Sequence, residues 1–331
     1  MACTLTFLLM SCQEKNSSEK INGISLVASK DSLKDQQLTT IIKTNSNAVS
    51  LMPYAFTNRD ETSKLIFDTD WQWFGETGDG IEHTIKLLKA RNLQLMLKPH
   101  IWLRNGDFTG DLSFKNEAQW IEFESSYRDY ILFYAQIAEK HHVELFCIGT
   151  ELYNFVQERP EFWLQLITDV RAIYSGMLVY AENWDKVEKT QLWQHLDFIG
   201  VDAYFPLSDE ASPAEEEIRG GWEEPKKMLD SLSEFYKKPI LFTEYGYRNI
   251  DFALKEPWNS DRDRHDKNFN LQAKALKILY EEMWNEEWFA GGFIWKWHQH
   301  KNSGGLDNDQ FTPQNKPAEK VLKKYYRKFS H

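Results

Sequence analysis

Two glutamates stand where apolar stretches of the chain end. Glu151 follows the run LFCIGT of residues 145–150, and Glu244 follows PILFT of residues 239–243. A buried carboxylate is costly to desolvate, so its presence at such a position needs a reason. Glycoside hydrolysis offers one, because it uses a carboxylic acid to protonate the leaving oxygen and a carboxylate to attack or stabilise the anomeric carbon. The alternative for either glutamate alone is an ion pair with an arginine or lysine at the rim of the fold.

Short apolar runs recur from residue 21 onward, and longer amphipathic segments separate them. The runs are mostly continuous rather than alternating, which is typical of strands buried on both faces of a parallel sheet. A strand followed by a helix, repeated eight times, is the pattern of a (β/α)8 barrel. The eight runs comprise residues 23–28, 48–56, 94–102, 145–152, 177–184, 198–205, 239–247 and 292–298. The amphipathic segments include residues 80–91, 117–140, 161–174 and 269–288.

We therefore predict an α/β fold, a single (β/α)8 TIM barrel, over residues 21–331. No proline-rich linker or change of composition divides this region. A doubly wound open sheet is the structural alternative, but no Gly-x-Gly-x-x-Gly or P-loop motif follows an early strand. The polar segment 207–221 (LSDEASPAEEEIRGG) is predicted to be a solvated loop.

In such barrels the catalytic groups lie at the carboxyl ends of the strands. Glu151 and Glu244 end the fourth and seventh runs, so we expect both to meet over the barrel mouth, where repulsion and burial separate their pKa values. Tyr204 is a candidate to hydrogen-bond Glu244, whereas Asp202 has a core hydrogen-bonding role as its alternative. The strand-end residues predicted to contact substrate are Lys98, His100, Trp102, Asn183, Trp184, Asp202, Tyr204, Trp295 and Trp297.

The aromatic residues also favour a carbohydrate ligand. A flat indole offers apolar area and one N–H donor, which match the apolar face and hydroxyl edge of a pyranose ring. The chain has 13 tryptophans. Those in predicted loops or at strand ends are Trp71, Trp73, Trp102, Trp184, Trp222, Trp258, Trp295 and Trp297. Those at helical spacing, which we expect to pack against the barrel, are Trp120, Trp163, Trp193, Trp284 and Trp288.

The order of Glu, Glu and Trp at the ends of strands four, seven and eight resembles the clan of retaining glycosidases built on TIM barrels. Within that clan, the phrases IGTEL (148–152), FTEYGY (242–247) and GGFIWKW (291–297) resemble glycoside hydrolase family 113, the β-mannanase family. The resemblance covers essentially residues 21–328. It implies that Glu151 is the acid/base and Glu244 the nucleophile, and that β-1,4-mannosidic bonds are hydrolysed with retained configuration.

One residue departs from the wider clan. Most clan members place an asparagine directly before the acid/base, where it hydrogen-bonds the sugar 2-hydroxyl, but this chain has Thr150. Asn183, at the end of strand five, could replace that contact.

The amino terminus suggests export. Residues 1–12 (MACTLTFLLMSC) resemble a bacterial lipoprotein signal, in which Cys12 is lipidated and becomes the first mature residue. The polar residues 13–20 (QEKNSSEK) then read as a tether to the catalytic domain, which comprises residues 21–331. No lysine or arginine precedes the apolar run, unlike an ordinary signal, and a frayed cytoplasmic terminus is the alternative. We expect an exported lipoprotein whose only membrane contact is a lipid anchor at Cys12.

Composition excludes several classes of partner. The 39 Lys and Arg against 50 Asp and Glu give a net charge of -11, which argues against nucleic acid or an anionic lipid surface. Cys147 lies within an apolar run and is predicted to be buried filler. His298 and His300 have no third ligand nearby at zinc-like spacing, so we expect no metal and no cofactor. We expect a monomer that acts on an oligo- or polysaccharide.

Two other functions remain open at this point. The nearer is a retaining β-glycosidase that acts on other β-linked glycans, because subsite contacts rather than the carboxylate pair decide the sugar. The farther is a non-catalytic glycan-binding lipoprotein, although binding alone does not call for two facing carboxylates.

Overall fold

A computed structural model of the chain describes residues 19–57, 62–103, 106–260 and 265–330. The predicted signal segment 1–12, its Cys12 and most of the predicted tether 13–20 lie outside these residues. Within the described ranges, every helix is too short or too polar to cross a bilayer.

The described residues form strands and helices that alternate along the chain. The strands are β1 (Ile21–Leu26), β2 (Ala48–Leu51), β3 (Tyr54–Thr57), β4 (Gln94–Leu97), β5 (His100–Leu103), β6 (Leu145–Thr150), β7 (Met177–Asn183), β8 (Ile199–Asp202), β9 (Ile240–Tyr245) and β10 (Phe289–Trp297). The helices are α1 (Asp35–Ile42), α2 (Gly78–Lys89), α3 (Glu117–Lys140), α4 (Tyr153–Glu158), α5 (Pro160–Ile173), α6 (Glu215–Tyr236), α7 (Phe269–Met283) and α8 (Pro317–Lys328).

Eight of these strands close into a barrel in the order β1, β2, β4, β6, β7, β8, β9 and β10, and β10 pairs with β1. Every neighbouring pair is parallel. The predicted (β/α)8 barrel is therefore confirmed. Parallel strands place all their carboxyl ends at one mouth, which is where the chemistry of such a fold is built.

The runs 48–56 and 94–102 were each predicted as one strand, but each contains two. Each run breaks at a proline, Pro53 or Pro99, because proline has no N–H to donate to the barrel ladder. The halves beyond the prolines, β3 and β5, leave the barrel and pair with each other in parallel. The hydroxyl of Tyr130 lies 2.9 Å from the carbonyl oxygens of Pro53 and His100, which joins α3 to this two-stranded sheet. Because β3 and β5 follow the carboxyl ends of β2 and β4, this small sheet lies at the barrel mouth.

Side chains fill the inside of the barrel. The inner apolar cluster comprises Ile21, Ala48, Met96, Leu145, Cys147, Val179, Ala181, Phe198, Leu241 and Phe293. Cys147 is fully buried there, as predicted. Gly23 makes room for Phe293, since a Cβ at Gly23 would lie 2.3 Å from the Phe293 ring. The filled interior confines ligands to the mouth.

The tryptophans predicted to pack against the barrel are buried or partly buried: Trp120, Trp163, Trp193, Trp284 and Trp288. Trp222 was wrongly predicted to lie in a loop, because α6 begins at Glu215, inside the segment 207–221, and buries Trp222 against Phe242. The first turn of α6 contains Glu215, Glu216 and Glu217, whose charges suit the positive end of a helix dipole.

Candidate active site

The carboxylate of Glu244 is held from two sides. Glu244 lies in β9 and is 7 % exposed. Lys98 Nζ donates to Glu244 Oε1 at 2.5 Å, and the Tyr204 hydroxyl donates to Glu244 Oε2 at 2.9 Å. The hydrogen bond expected between Tyr204 and Glu244 is therefore present. An ammonium on one oxygen and a phenol on the other stabilise the negative charge and fix the direction of the carboxylate.

Lys98 and Asp202 form a buried ion pair beneath Glu244. Lys98 Nζ lies 3.1 Å from Asp202 Oδ1, and Thr243 Oγ1 donates to the same oxygen at 2.7 Å. Burial lowers the pKa of Lys98, but the charges of Asp202 and Glu244 raise it overall, so the lysine stays charged. Burial, followed by the charge of Glu244, raises the pKa of Asp202 to about 7.

The predicted substrate contacts of Lys98 and Asp202 are therefore wrong. Both residues are fully buried, and their hydrogen bonds go to each other, to Glu244 and to Thr243. They act on the substrate through Glu244. The alternative considered for Asp202, a core hydrogen-bonding role, is the one that the structure shows.

Glu151 has the opposite environment. It directly follows β6, its backbone has φ of 50°, and its N–H donates to the carbonyl oxygen of Ala181 at 2.8 Å. Burial raises the pKa of Glu151 well above its ordinary value, and the negative charges of Asp202 and Glu244 add to this effect. Lys98 opposes the rise only in part. A carboxyl group with a raised pKa keeps its proton near neutral pH, as a general acid requires.

His100 and Trp295 form the wall beside Glu244. The His100 ring stacks on Trp295 with centroids 6.3 Å apart and planes at 13°, and it contacts Tyr54 at 5.3 Å. His100 Nε2 lies 3.7 Å from Glu244 Oε1. Burial and the charge of Lys98 lower the pKa of His100 well below its ordinary value, so the imidazole is neutral.

An aromatic cavity of about 410 Å³ continues outward from Trp295. Its exposed rings are those of Trp71, Trp73 and Trp102, of which Trp102 is 53 % exposed. Such exposure of large apolar rings at a cleft indicates a binding surface. The residues that line the cavity are Val27, Ala28, Met52, Tyr54, Phe56, Trp71, Gln72, Trp73, Glu76, Trp102, Trp295 and Lys296.

A second aromatic pair lies across the mouth, beyond β7. Trp184 stacks on Trp258 with centroids 5.4 Å apart and planes at 26°. Asn183 Oδ1 accepts the backbone N–H of Trp184 at 2.9 Å, which fixes the start of this loop. Trp258 is 43 % exposed. The two aromatic surfaces thus flank the glutamates on different sides of the barrel.

The profile of Glycoside Hydrolase Family 113 matches residues 28–316. The chain belongs to this family. It is therefore a glycoside hydrolase, and oligo- or polysaccharides are its substrates. A search among curated proteins finds no match.

Several solved structures have a fold similar to that of this hydrolase. A β-1,4-mannanase of family 113 has a TM-score of 0.80 at 24% identity, with 93% of this chain and 99% of the other covered. The family 113 β-mannanase of Alicyclobacillus acidocaldarius has a TM-score of 0.82 at 21% identity, with 94% and 98% covered. A β-glucuronidase of Faecalibacterium prausnitzii has a TM-score of 0.62 at 14% identity, with 94% of this chain and 49% of the other covered.

Trp297 does not line the cleft of the hydrolase, so its predicted substrate contact is wrong. It is 1 % exposed in the outer core, and its Nε1 donates to Thr40 Oγ1 at 3.4 Å. The register between β1 and β10 shifts between Ile24 and Leu26. Such a shift breaks the simple alternation of sides along a strand, so Trp297 turns toward α1 and away from the mouth.

Sequence reasoning missed three polar residues near the mouth. Glu76 and Lys296 line the aromatic cavity, and Lys296 Nζ lies 5.3 Å from the Trp295 ring centroid. Glu182 is fully buried and accepts from Thr190 Oγ1 at 2.7 Å, and burial raises its pKa to about 7. A charged residue inside the apolar run 177–184 was the available signal for Glu182. Among the described residues, no cluster of His, Cys, Asp and Glu side chains is arranged to hold a metal ion.

Proposed function

We propose that this hydrolase cleaves β-1,4-mannosidic linkages with retained configuration, by double displacement. The observation that carries the proposal is the contrast between two glutamates of one barrel mouth. Glu244 is oriented and charge-stabilised by Lys98 and Tyr204, whereas Glu151 has a raised pKa. The family, and neighbours whose names state β-1,4-mannanase or β-mannanase, support mannan as the substrate.

In the first step, the Glu244 carboxylate attacks the anomeric carbon while Glu151 donates its proton to the leaving oxygen. The bond from carbon to the leaving oxygen breaks as the bond to Glu244 forms. The covalent bond removes the negative charge of Glu244, which is one of the causes of the raised pKa of Glu151, so that pKa falls. Glu151 is then suited to act as a base in the second step.

In the second step, Glu151 removes a proton from water, and the water oxygen attacks the anomeric carbon from the side that the leaving group has vacated. The bond to Glu244 breaks, and Lys98 and Tyr204 stabilise the carboxylate that reappears. Two inversions give net retention.

Product analysis on mannan, glucomannan and cellulose oligomers tests the proposal. We expect cleavage of mannan and of mannosyl bonds in glucomannan, with the β-anomer appearing first by proton NMR. Glu244→Gln, which keeps the size of the side chain, is the matched control and should be inactive on every substrate. Preferential cleavage of cellulose oligomers would favour the alternative of another β-glycan, and first release of the α-anomer would exclude double displacement.

We also propose that the protein is exported and anchored through a lipid on Cys12, in agreement with the sequence of residues 1–12. Cys12→Ala should release the hydrolase from the membrane fraction, whereas Cys147→Ala, the matched control, should leave it there. An unchanged distribution of Cys12→Ala would contradict the anchor.

A further inference from the structure

Two polar side-chain atoms at the barrel mouth are buried without a hydrogen-bond partner among the described residues. They are His100 Nε2 and Thr150 Oγ1. Buried polar atoms in native proteins nearly always have a partner, because an unmade hydrogen bond costs free energy. At a site that binds a sugar, the missing partner is naturally a substrate hydroxyl.

The His100 imidazole is fixed in place before substrate arrives. Its ring lies against Tyr54 and Trp295. Its backbone carbonyl oxygen accepts from the Tyr130 hydroxyl at 2.9 Å. The histidine therefore presents Nε2 toward Glu244 in one direction, so its ring is already oriented when the sugar binds.

The position of Nε2 matches one hydroxyl of the bound sugar. Its distance of 3.7 Å from Glu244 Oε1 is too long for a direct hydrogen bond. A single hydroxyl that lies to one side of the two atoms can hydrogen-bond to both. Because C2 is bonded to the carbon that Glu244 attacks, the 2-hydroxyl is the group that comes next to this carboxylate, and its hydrogen bonds strengthen in the transition state.

We propose that His100 binds the 2-hydroxyl of the sugar that Glu244 attacks, and that it thereby contributes to the choice of mannose. This inference rests on the proposed function. Mannose and glucose differ only in the direction of the 2-hydroxyl, so a donor on a fixed ring discriminates between them. Thr150 Oγ1 and Asn183 are the competing candidates. Thr150 adjoins the acid/base, and Asn183 Oδ1 already accepts the backbone N–H of Trp184. The 3.7 Å approach to the nucleophile belongs to His100.

The test combines two substrates with two variants. kcat/KM is measured for p-nitrophenyl β-mannobioside and for the analogue that lacks the 2-hydroxyl on the attacked sugar, with wild type, His100→Phe and Thr150→Val. For wild type we expect a loss of roughly 100-fold on removal of the hydroxyl, because a site built to bind a hydroxyl rejects the analogue without it. For His100→Phe we expect that loss to shrink to about threefold or less. Thr150→Val should keep the wild-type loss.

A second readout is the preference for mannoside over the matching glucoside, which should fall roughly tenfold or more in His100→Phe. An equal loss on removal of the hydroxyl in wild type and His100→Phe would overturn the proposal, and so would a loss that disappears only in Thr150→Val. If His100→Phe does not fold, as judged by circular dichroism, His100→Ala carries the same comparison. A wild-type protein that leaves the β-mannoside intact would instead contradict the proposed function itself.

Discussion

Replacement of Lys98 by methionine tests how the nucleophile is kept charged. Lys98 is fully buried and contacts two carboxylates, Glu244 at 2.5 Å and Asp202 at 3.1 Å. Methionine keeps the length of the side chain and removes the charge. Loss of one partner from a buried ion pair costs about 3–5 kcal/mol, because the other charge is left uncompensated.

The sign of the pH effect follows from Asp202. Burial first, then the charge of Glu244, raises the pKa of this acid to about 7, and Lys98 opposes the rise. An acid whose pKa is raised by folding stabilises the fold at low pH, and this contribution is lost as the pH rises through the folded pKa. Without Lys98 that loss extends to higher pH. We therefore expect the deficit in Tm of Lys98→Met to be larger at pH 8 than at pH 5.

Activity should fall for the same reason. Without the ammonium, the Glu244 carboxylate loses the cation that stabilises its charge and orients it for attack. If the 3–5 kcal/mol appears in the transition state, kcat/KM falls by roughly 10²- to 5 × 10³-fold, since each 1.36 kcal/mol is a factor of ten.

The assay is kcat/KM on an aryl β-mannoside between about pH 4 and 9, together with Tm by scanning calorimetry. Lys140→Met is the matched control, because the ion pair of Lys140 with Glu82 is on the surface, where such pairs contribute about 0–1 kcal/mol. A Lys98→Met variant with kcat/KM within about threefold of wild type, and with a Tm deficit no larger at pH 8 than at pH 5, would refute this explanation of the site.

Three further outcomes are expected. Glu151→Gln should lose activity on mannan by several orders of magnitude but keep much of its activity on substrates with good leaving groups. The basic limb of its pH profile should also disappear. Equal losses on both substrates would contradict the role of Glu151 as the acid. Tyr204→Phe should lower kcat about tenfold to a hundredfold with little change in KM, because a hydrogen bond to a charged group contributes about 1.5–3 kcal/mol. A change confined to KM would contradict the proposal that Tyr204 acts by positioning Glu244. Trp102→Ala should raise KM for long manno-oligosaccharides several-fold without changing kcat on a short aryl mannoside, as measured by initial rates. Equal effects on the long and the short substrate would place Trp102 outside the binding surface.

The barrel could be predicted because strands buried on both faces leave continuous apolar runs, and helix 117–140 was placed at the observed bounds. The separate sheet of β3 and β5 could not, since apolar residues resume beyond Pro53 and, after the polar pair Lys98 and His100, beyond Pro99. Those prolines were the signal of a break. Helix α6 was missed at its start, because an acidic stretch resembles both a solvated loop and the first turn of a helix.

The proposed catalytic residues could be selected from the sequence because the barrel brings all strand ends to one mouth. That rule alone was enough to select Glu151, Glu244 and Tyr204 as candidates. Which way a strand-end side chain turns depends on register, which composition does not encode. Lys98 turned inward beneath Glu244, and Trp297 turned outward into the core.

Identification of the attacking residue tests the central claim most directly. A 2-deoxy-2-fluoro β-mannosyl fluoride slows the second step, so the covalent intermediate accumulates and can be located by peptide mass spectrometry. We predict one added fluoromannosyl group, on the peptide that contains Glu244 and on that glutamate. A label on Glu151 or elsewhere, or turnover that releases the α-anomer first without any label, would contradict the assignment of the two glutamates.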